Sequence, residues 1–157
     1  MGHSFGEFYL NRFAGVNPAN GDALWYTKEG ELTTELRDED KVMVGKSYVA
    51  PWQGGFGTTL AWKGLSLSAQ FSWMADRWVM NNDRFFEESN GLYSTYNQSR
   101  RLLYDRWKKP GDITDIPRHG VYTEFDDRLL EDASFLRLKN LMLSYTFPQE
   151  WLRKTRF

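Results

Sequence analysis

The chain has 157 residues, 41% hydrophobic and 17% aromatic, with a formal net charge of -1. That charge, with Arg100, Arg101, Arg106, Lys108 and Lys109 interleaved among acids, excludes the basic footprint of a nucleic-acid binder. Zero cysteines exclude disulfides, thiolate metal sites and cysteine nucleophiles, and no stretch reaches the roughly 20 apolar residues of a transmembrane helix. Strands of only about 9 to 11 residues cross a bilayer in a barrel, so a membrane β-barrel stays open. The start, Met1 to Phe8, lacks the basic and apolar regions of a signal peptide. Seven Trp, eight Tyr and eleven Phe, interleaved with Ser, Asn, Gln and Gly, suit strands that meet sugars, lipid headgroups or protein partners.

Residues 6–26 read as a strand, a turn over 15–21 and a short return through Ala23-Leu24-Trp25-Tyr26. Asn17, Asn20 and Asp22 invite a calcium-loop reading, but their spacing misses the EF-hand pattern and a plain turn explains them better. Residues 28–40 are charged and weakly patterned, which predicts a solvated loop. From Gly54 to Val79 two alternating segments meet at Lys63-Gly64, a pair that fits a tight primed hairpin turn. Closing that turn predicts the pairs Trp62/Leu65, Leu60/Leu67, Thr58/Ala69 and Phe56/Phe71 on one face. Ala61/Ser66, Thr59/Ser68, Gly57/Gln70 and Gly55/Ser72 fall on the other. One wall is aromatic and aliphatic; the other is small and polar.

Residues 81–132 read as one long irregular loop, in which Leu92, Tyr96, Leu103 and Trp107 recur at helical spacing before Pro110-Gly111 stops the run. That predicts a short helix packing its stripe on neighbouring loops rather than holding a ligand. Residues 134–147 read as a strand, with Leu141, Leu143, Tyr145 and Phe147 on one face, and Pro148 ends it. Upstream, Leu136 and Leu138 have the opposite phase, so the pattern slips near Lys139-Asn140, as a bulge or as the strand leaves the membrane layer. Residues 148–157 read as a short helical or turn connector. Phe157 lies off any alternating strand and is assigned no role as an assembly signal.

Catalytic inventory is missing. His3 and His119 lack the spacing of a metal pair, and no Gly-x-Ser-x-Gly, Walker or dinucleotide fingerprint occurs. Gly54-Gly55-Phe56-Gly57 sits inside a strand pattern, where glycine makes room for close packing or a bend. The pairs Asp126-Asp127 and Glu131-Asp132 are expected to be solvated loop acids rather than an acid and base on a glycoside. No catalysis and no cofactor is therefore expected. On pattern alone the architecture is all-β, as part of a barrel or as a soluble β-sandwich binding carbohydrate. The two readings put the oily wall against lipid or in a dry core.

Several segments together resemble the SusC/RagA family of TonB-dependent outer-membrane transporters. They are residues 14–26 (AGVNPANGDALWY), 44–47 (VGKS), 54–57 (GGFG) with Lys63-Gly64, 106–112 (RWKKPGD), 130–140 (LEDASFLRLKN) and 143–148 (LSYTFP). The resemblance implies a C-terminal fragment of a large barrel of about 22 strands. It would be all-β, with antiparallel strands forming a partial segment of a transmembrane β-barrel and one long loop containing a short helix. Residues 1–157 would be one partial barrel: a 54–79 hairpin, an 81–132 extracellular loop, a 134–147 strand and a 148–157 periplasmic connector. Phe56, Leu60, Trp62, Leu65, Leu67, Phe71, Trp73, Leu141, Leu143 and Tyr145 would face lipid, with Trp62, Trp73 and Trp78 near the interfaces. The family implies an outer-membrane location, glycan or peptide cargo, a SusD-like lipoprotein lid and energy from the TonB complex. It transfers no substrate-contacting residue.

Overall fold

The computed structural model describes residues 2–154, which divide into two compact units. One unit joins Met1–Val49 to Trp78–Asp132; the other joins Ala50–Arg77 to Ala133–Phe157. Residues 155–157 of the expected connector, with Phe157, lie outside the described residues.

The second unit is a three-stranded antiparallel sheet of β6 (Trp52–Trp62), β7 (Leu65–Ala75) and β10 (Phe135–Tyr145), with β7 central, followed by a short helix, α3 (Gln149–Lys154). Lys63 (φ 45°) and Gly64 (φ 86°) both take positive φ, the backbone of a primed turn. The register is the predicted one, from Trp62 opposite Leu65 to Phe56 opposite Phe71. The β10 register shifts between Leu138 and Asn140, leaving Lys139 as an extra residue. That bulge is the predicted phase slip, and it has a consequence for the faces. Leu138 pairs with Phe71 and Leu136 with Trp73, so both leucines join Leu141, Leu143 and Tyr145 on the apolar side.

The first unit is built from small pieces: β1 (Glu7–Leu10) with β5 (Val42–Ser47), a meander of β2 (Arg12–Val16), β3 (Ala23–Tyr26) and β4 (Leu32–Thr33), and β8 (Trp78–Met80) with β9 (Leu130–Asp132). Two short helices, α1 (Asn82–Glu87) and α2 (Arg101–Tyr104), complete it. The stretch read as a long loop is therefore folded together with the first 49 residues. Of the expected helix carrying Leu92, Tyr96, Leu103 and Trp107, only the single turn of α2 around Leu103 forms. Asn90 (φ 57°) and Gly91 (φ 103°) break helical geometry, and Ser89, Tyr93 and Gln98 make turn hydrogen bonds instead. Residues 28–40 are likewise not simply a solvated loop, since Leu32–Thr33 pairs with β3 and buried Asp40 accepts from the Lys28 N–H at 3.0 Å.

Among the described residues, every buried apolar side chain except Ala69 belongs to the first unit: Val16, Ala23, Trp25, Phe85, Leu102, Ile116, Leu129 and Leu130. So does every buried polar one. The core is held as much by hydrogen bonds as by oil.

Candidate functional surfaces: an oily wall and a polar-cored unit

Alternation and register give the β6–β7–β10 sheet two chemically distinct faces. One carries Trp52, Phe56, Leu60 and Trp62 from β6, Leu65, Leu67, Phe71 and Trp73 from β7, and Leu136, Leu138, Leu141, Leu143 and Tyr145 from β10. All ten residues named from sequence as lipid-facing therefore share this one face. Trp52, Leu136 and Leu138 belong there too and were missed; for the leucines, the signal was the bulge that restores their phase. Phe56 stacks on Phe71 at 4.9 Å, and Tyr145 meets Phe147 edge-on at 5.0 Å. A Cβ on Gly54 would lie 3.2 Å from the Trp73 indole, so glycine lets that ring lie across the neighbouring strand.

This apolar face is not a dry core. Leu60 is 63% exposed, Trp62 70%, Leu141 60% and Leu143 67%. Every residue of β6 is exposed, on both faces, whereas a β-sandwich packs one face against a second sheet. The soluble-sandwich expectation therefore fails for this sheet.

The first unit is organised around buried polar groups. Trp25 Nε1 donates to Asp126 Oδ2 at 3.0 Å, and the Arg128 N–H donates to Asp126 Oδ1 at 3.1 Å. Asn11 Nδ2 donates to the Arg37 carbonyl at 2.7 Å, and the Phe13 N–H donates to Asp127 Oδ1 at 2.8 Å. Asp126 is fully buried, which corrects the expectation of a solvated acid pair. Its side-chain donor Trp25 lies 101 residues away in sequence, where no local pattern signals it. Burial pushes the Asp126 carboxyl above its ordinary range, against the opposing pull of Arg128 and the Trp25 hydrogen bond.

A second network surrounds α1. Arg84 Nε and Arg101 Nη1 both meet the buried Glu88 carboxylate at 2.9 Å, and Arg101 Nη2 donates to Asp115 at 2.7 Å. Burial raises Asp115, but the Arg101 hydrogen bonds and charge outweigh it and hold the carboxyl below its ordinary range. Asn90 Nδ2 donates to the carbonyls of Arg118 and Val121 at 2.6 and 2.9 Å, tying the 90s to the 118–121 turn. Asn17 and Asn20 accept the N–H groups of Ala19 and Asp22, the work of a turn. Residues 107–118 dock on that turn. Trp107 Nε1 and the Gly111 N–H donate to the Pro18 carbonyl, while the Arg118 N–H donates to the Gly21 carbonyl at 2.9 Å. His119 Nδ1 sits 3.2 Å from Arg106 Nη1, and His3 is far along the chain beside Glu7.

No protein-family model matches the chain. It is similar to TonB-dependent receptor P39 of Formosa agariphila, 23% identical over 97% of this chain and 15% of the relative. TonB-dependent receptor P3 of the same organism is 26% identical over 98% of this chain and 16% of the relative. The chain thus spans about a sixth of the length of the curated relatives it matches. Among solved structures, the RagAB peptide transporter matches with a TM-score of 0.87 and 36% identity, over 96% of this chain and 17% of that one. The RagAB peptide importer in its open-open state matches at 0.83 and 38%, over 93% and 16%. Register, face chemistry and relatives converge: the chain is a stretch of barrel of the SusC/RagA type of TonB-dependent receptor.

Proposed function

We propose that this chain supplies wall strands and a folded extracellular unit to an outer-membrane TonB-dependent importer, with peptide as the favoured cargo and glycan as the family's other choice. The observation that carries the reading is the uncharged apolar face. Eleven-residue strands span about 36 Å along their axes, and a tilt near 45° leaves about 25 Å of height, the apolar band of an outer-membrane barrel. On this reading Phe56, Leu60, Trp62, Leu65, Leu67, Phe71, Trp73, Leu141, Leu143 and Tyr145 meet lipid, together with Leu136 and Leu138. Trp62 and Tyr145 sit at one rim, Trp52 and Trp73 toward the other, as interfacial aromatics do. The outer edges of β6 and β10 pair with neighbouring barrel strands, which removes edges that lipid cannot satisfy.

The contrast between a two-residue turn and a long connection supports a topology with the short turn inward and the long one outward, as outer-membrane barrels have it. The two-residue Lys63-Gly64 turn and α3 lie on the periplasmic side, and the unit containing residues 81–132 lies outside the cell, where a SusD-like lipoprotein lid docks. Peptide is favoured because the similar solved structures are peptide transporters. The TonB complex supplies energy through other parts of the receptor, and the chain performs no catalysis. An epitope inserted after Thr95 should be labelled by antibody on intact cells, and one inserted between Lys63 and Gly64 only after the outer membrane is opened. Equal labelling of both on intact cells would overturn the orientation.

A further inference from the structure

The arginines of the first unit differ in what they face. Arg37, Arg84, Arg101, Arg118 and Arg128 each meet a carboxylate. Arg100 and Arg106 join no ion pair among the described residues, and Asp105, beside Arg106 in sequence, turns to Arg101 instead at 3.5 Å. Both uncommitted cations line one open cavity of about 390 Å³, together with Gly91, Leu102, Leu103 and His119. Among the described residues no acid lines it. A neighbouring cavity of about 770 Å³ also takes in Arg106, but there Asp105, Asp112 and Asp115 offset Lys108 and Lys109.

Arg106 is fixed in place before any ligand arrives. Its backbone bridges to the buried Ile116, and its Nη1 donates to Asn90 Oδ1 at 3.4 Å and to His119 Nδ1 at 3.2 Å. A guanidinium has no acceptor, so Nδ1 accepts in that contact and the ring N–H lies at Nε2. His119 rests against Gly91, whose φ of 103° suits glycine and where an added Cβ would stand 3.4 Å from the ring Cε1. The rest of the Arg106 guanidinium makes no hydrogen bond among the described residues and is half-buried, which strengthens its pull on an anion. Leu102 is buried, while Leu103 is 61% exposed and Arg100 is exposed. Unpaired cations thus border an apolar surface that water still reaches.

We propose that this cavity binds the C-terminus of a peptide whose last side chain is apolar, with the carboxylate on Arg106 and Arg100 and the side chain against Leu102 and Leu103. The proposal rests on the reading of the receptor as a peptide importer, and it names the end of the cargo that is gripped. A peptide end puts a carboxylate and a side chain on the same carbon. An acidic side chain offers the carboxylate without that apolar neighbour. The cavity has the size of a small-ligand pocket rather than of a seat for a folded partner.

The test uses the complete receptor in detergent and three fluorescent pentapeptides: one ending in leucine as the free acid, its C-terminal amide, and a free acid ending in glycine. The leucine acid should bind about fivefold tighter than the amide, and Arg106→Gln should bring the two to within about twofold by weakening the acid. Leu103→Ala should cost the leucine acid most of an advantage of about threefold over the glycine acid. Should Arg106→Gln fail to fold, Arg100→Gln with Leu103→Ala, both at exposed positions, decides in its place. A full acid preference in Arg106→Gln, or in that double variant, overturns the site. Location is read separately, because the chain has no cysteine and Gln98→Cys adds one thiol at the cavity once any cysteines elsewhere in the receptor are replaced. Saturating leucine acid should slow its reaction with a neutral maleimide; an unchanged rate overturns the location. Equal affinity of the leucine acid and its amide for the unaltered receptor defeats this site and leaves peptide import standing. No binding by any of the three defeats peptide as the cargo, and the site with it.

Discussion

The two units solve opposite problems with the same chain. Among the described residues, the sheet unit contributes one buried apolar residue, Ala69, and shows its large side chains to its surroundings, while the other unit buries Trp25, Leu129 and Ile116 along with a fully enclosed Asp126. A water-soluble sheet with so much exposed leucine and tryptophan would aggregate; a sheet against lipid gains from it. The polar-cored unit behaves as water-facing proteins do, closing its long-range contacts with hydrogen bonds that lipid would not tolerate unpaired. The contrast shows that exposure carries no meaning until the solvent on each side is named.

The comparison breaks first at the first unit's core. Leu129→Ala should cost about 2–5 kcal/mol there and leave strand pairing in the sheet unchanged, read by hydrogen exchange of both regions. Nearly as large is the effect expected on the oily wall. Leu141→Arg should destabilise the folded barrel in lipid by about 2–4 kcal/mol, whereas Ser68→Arg on the polar face should be close to neutral in the same refolding titration.

A smaller effect belongs to the buried carboxylate. Trp25→Phe keeps the ring but removes the donor to Asp126, with an expected cost of about 1–3 kcal/mol. Because burial raises the Asp126 pKa above its unfolded value, its contribution is fully present below the unfolded pKa and is lost as pH rises through the folded one. Asp126→Asn should flatten that part of the stability profile, measured by denaturation across acidic pH. Asp115 runs the other way. Its lowered pKa means that its pairing with Arg101 stabilises above the unfolded pKa and fades as pH falls through the folded one. Smallest is the turn. Lys63→Asn places a residue that tolerates positive φ at φ 45° and should stabilise the hairpin by about 0.5 kcal/mol, seen as a slower unfolding rate.

How much of this was legible in the sequence differs between the units, for a physical reason. The hairpin register could be read because a two-residue turn fixes the phase and alternation carries it outward for eleven residues. Even the bulge was visible as two leucines out of step before Lys139. The first unit hid because its strands are two to six residues long and pair across the chain, β1 with β5 and β8 with β9. Its core also uses Asn11, Asp40, Glu88, Asn90 and Asp126, residues that a hydrophobic pattern assigns to the surface. The apparent helical stripe from Leu92 to Trp107 was an accident of spacing, interrupted by turn-forming residues that periodicity alone does not weigh.

The central claim is that the β6–β7–β10 sheet separates lipid from a polar lumen. It is tested most directly by attaching a fluorophore at single cysteines, Leu60→Cys and Leu143→Cys on one face, Ser68→Cys and Ser144→Cys on the other, and quenching with brominated lipids. Strong quenching at Leu60 and Leu143 and little at Ser68 and Ser144 is the predicted result; equal quenching on both faces, or the reverse, would contradict it.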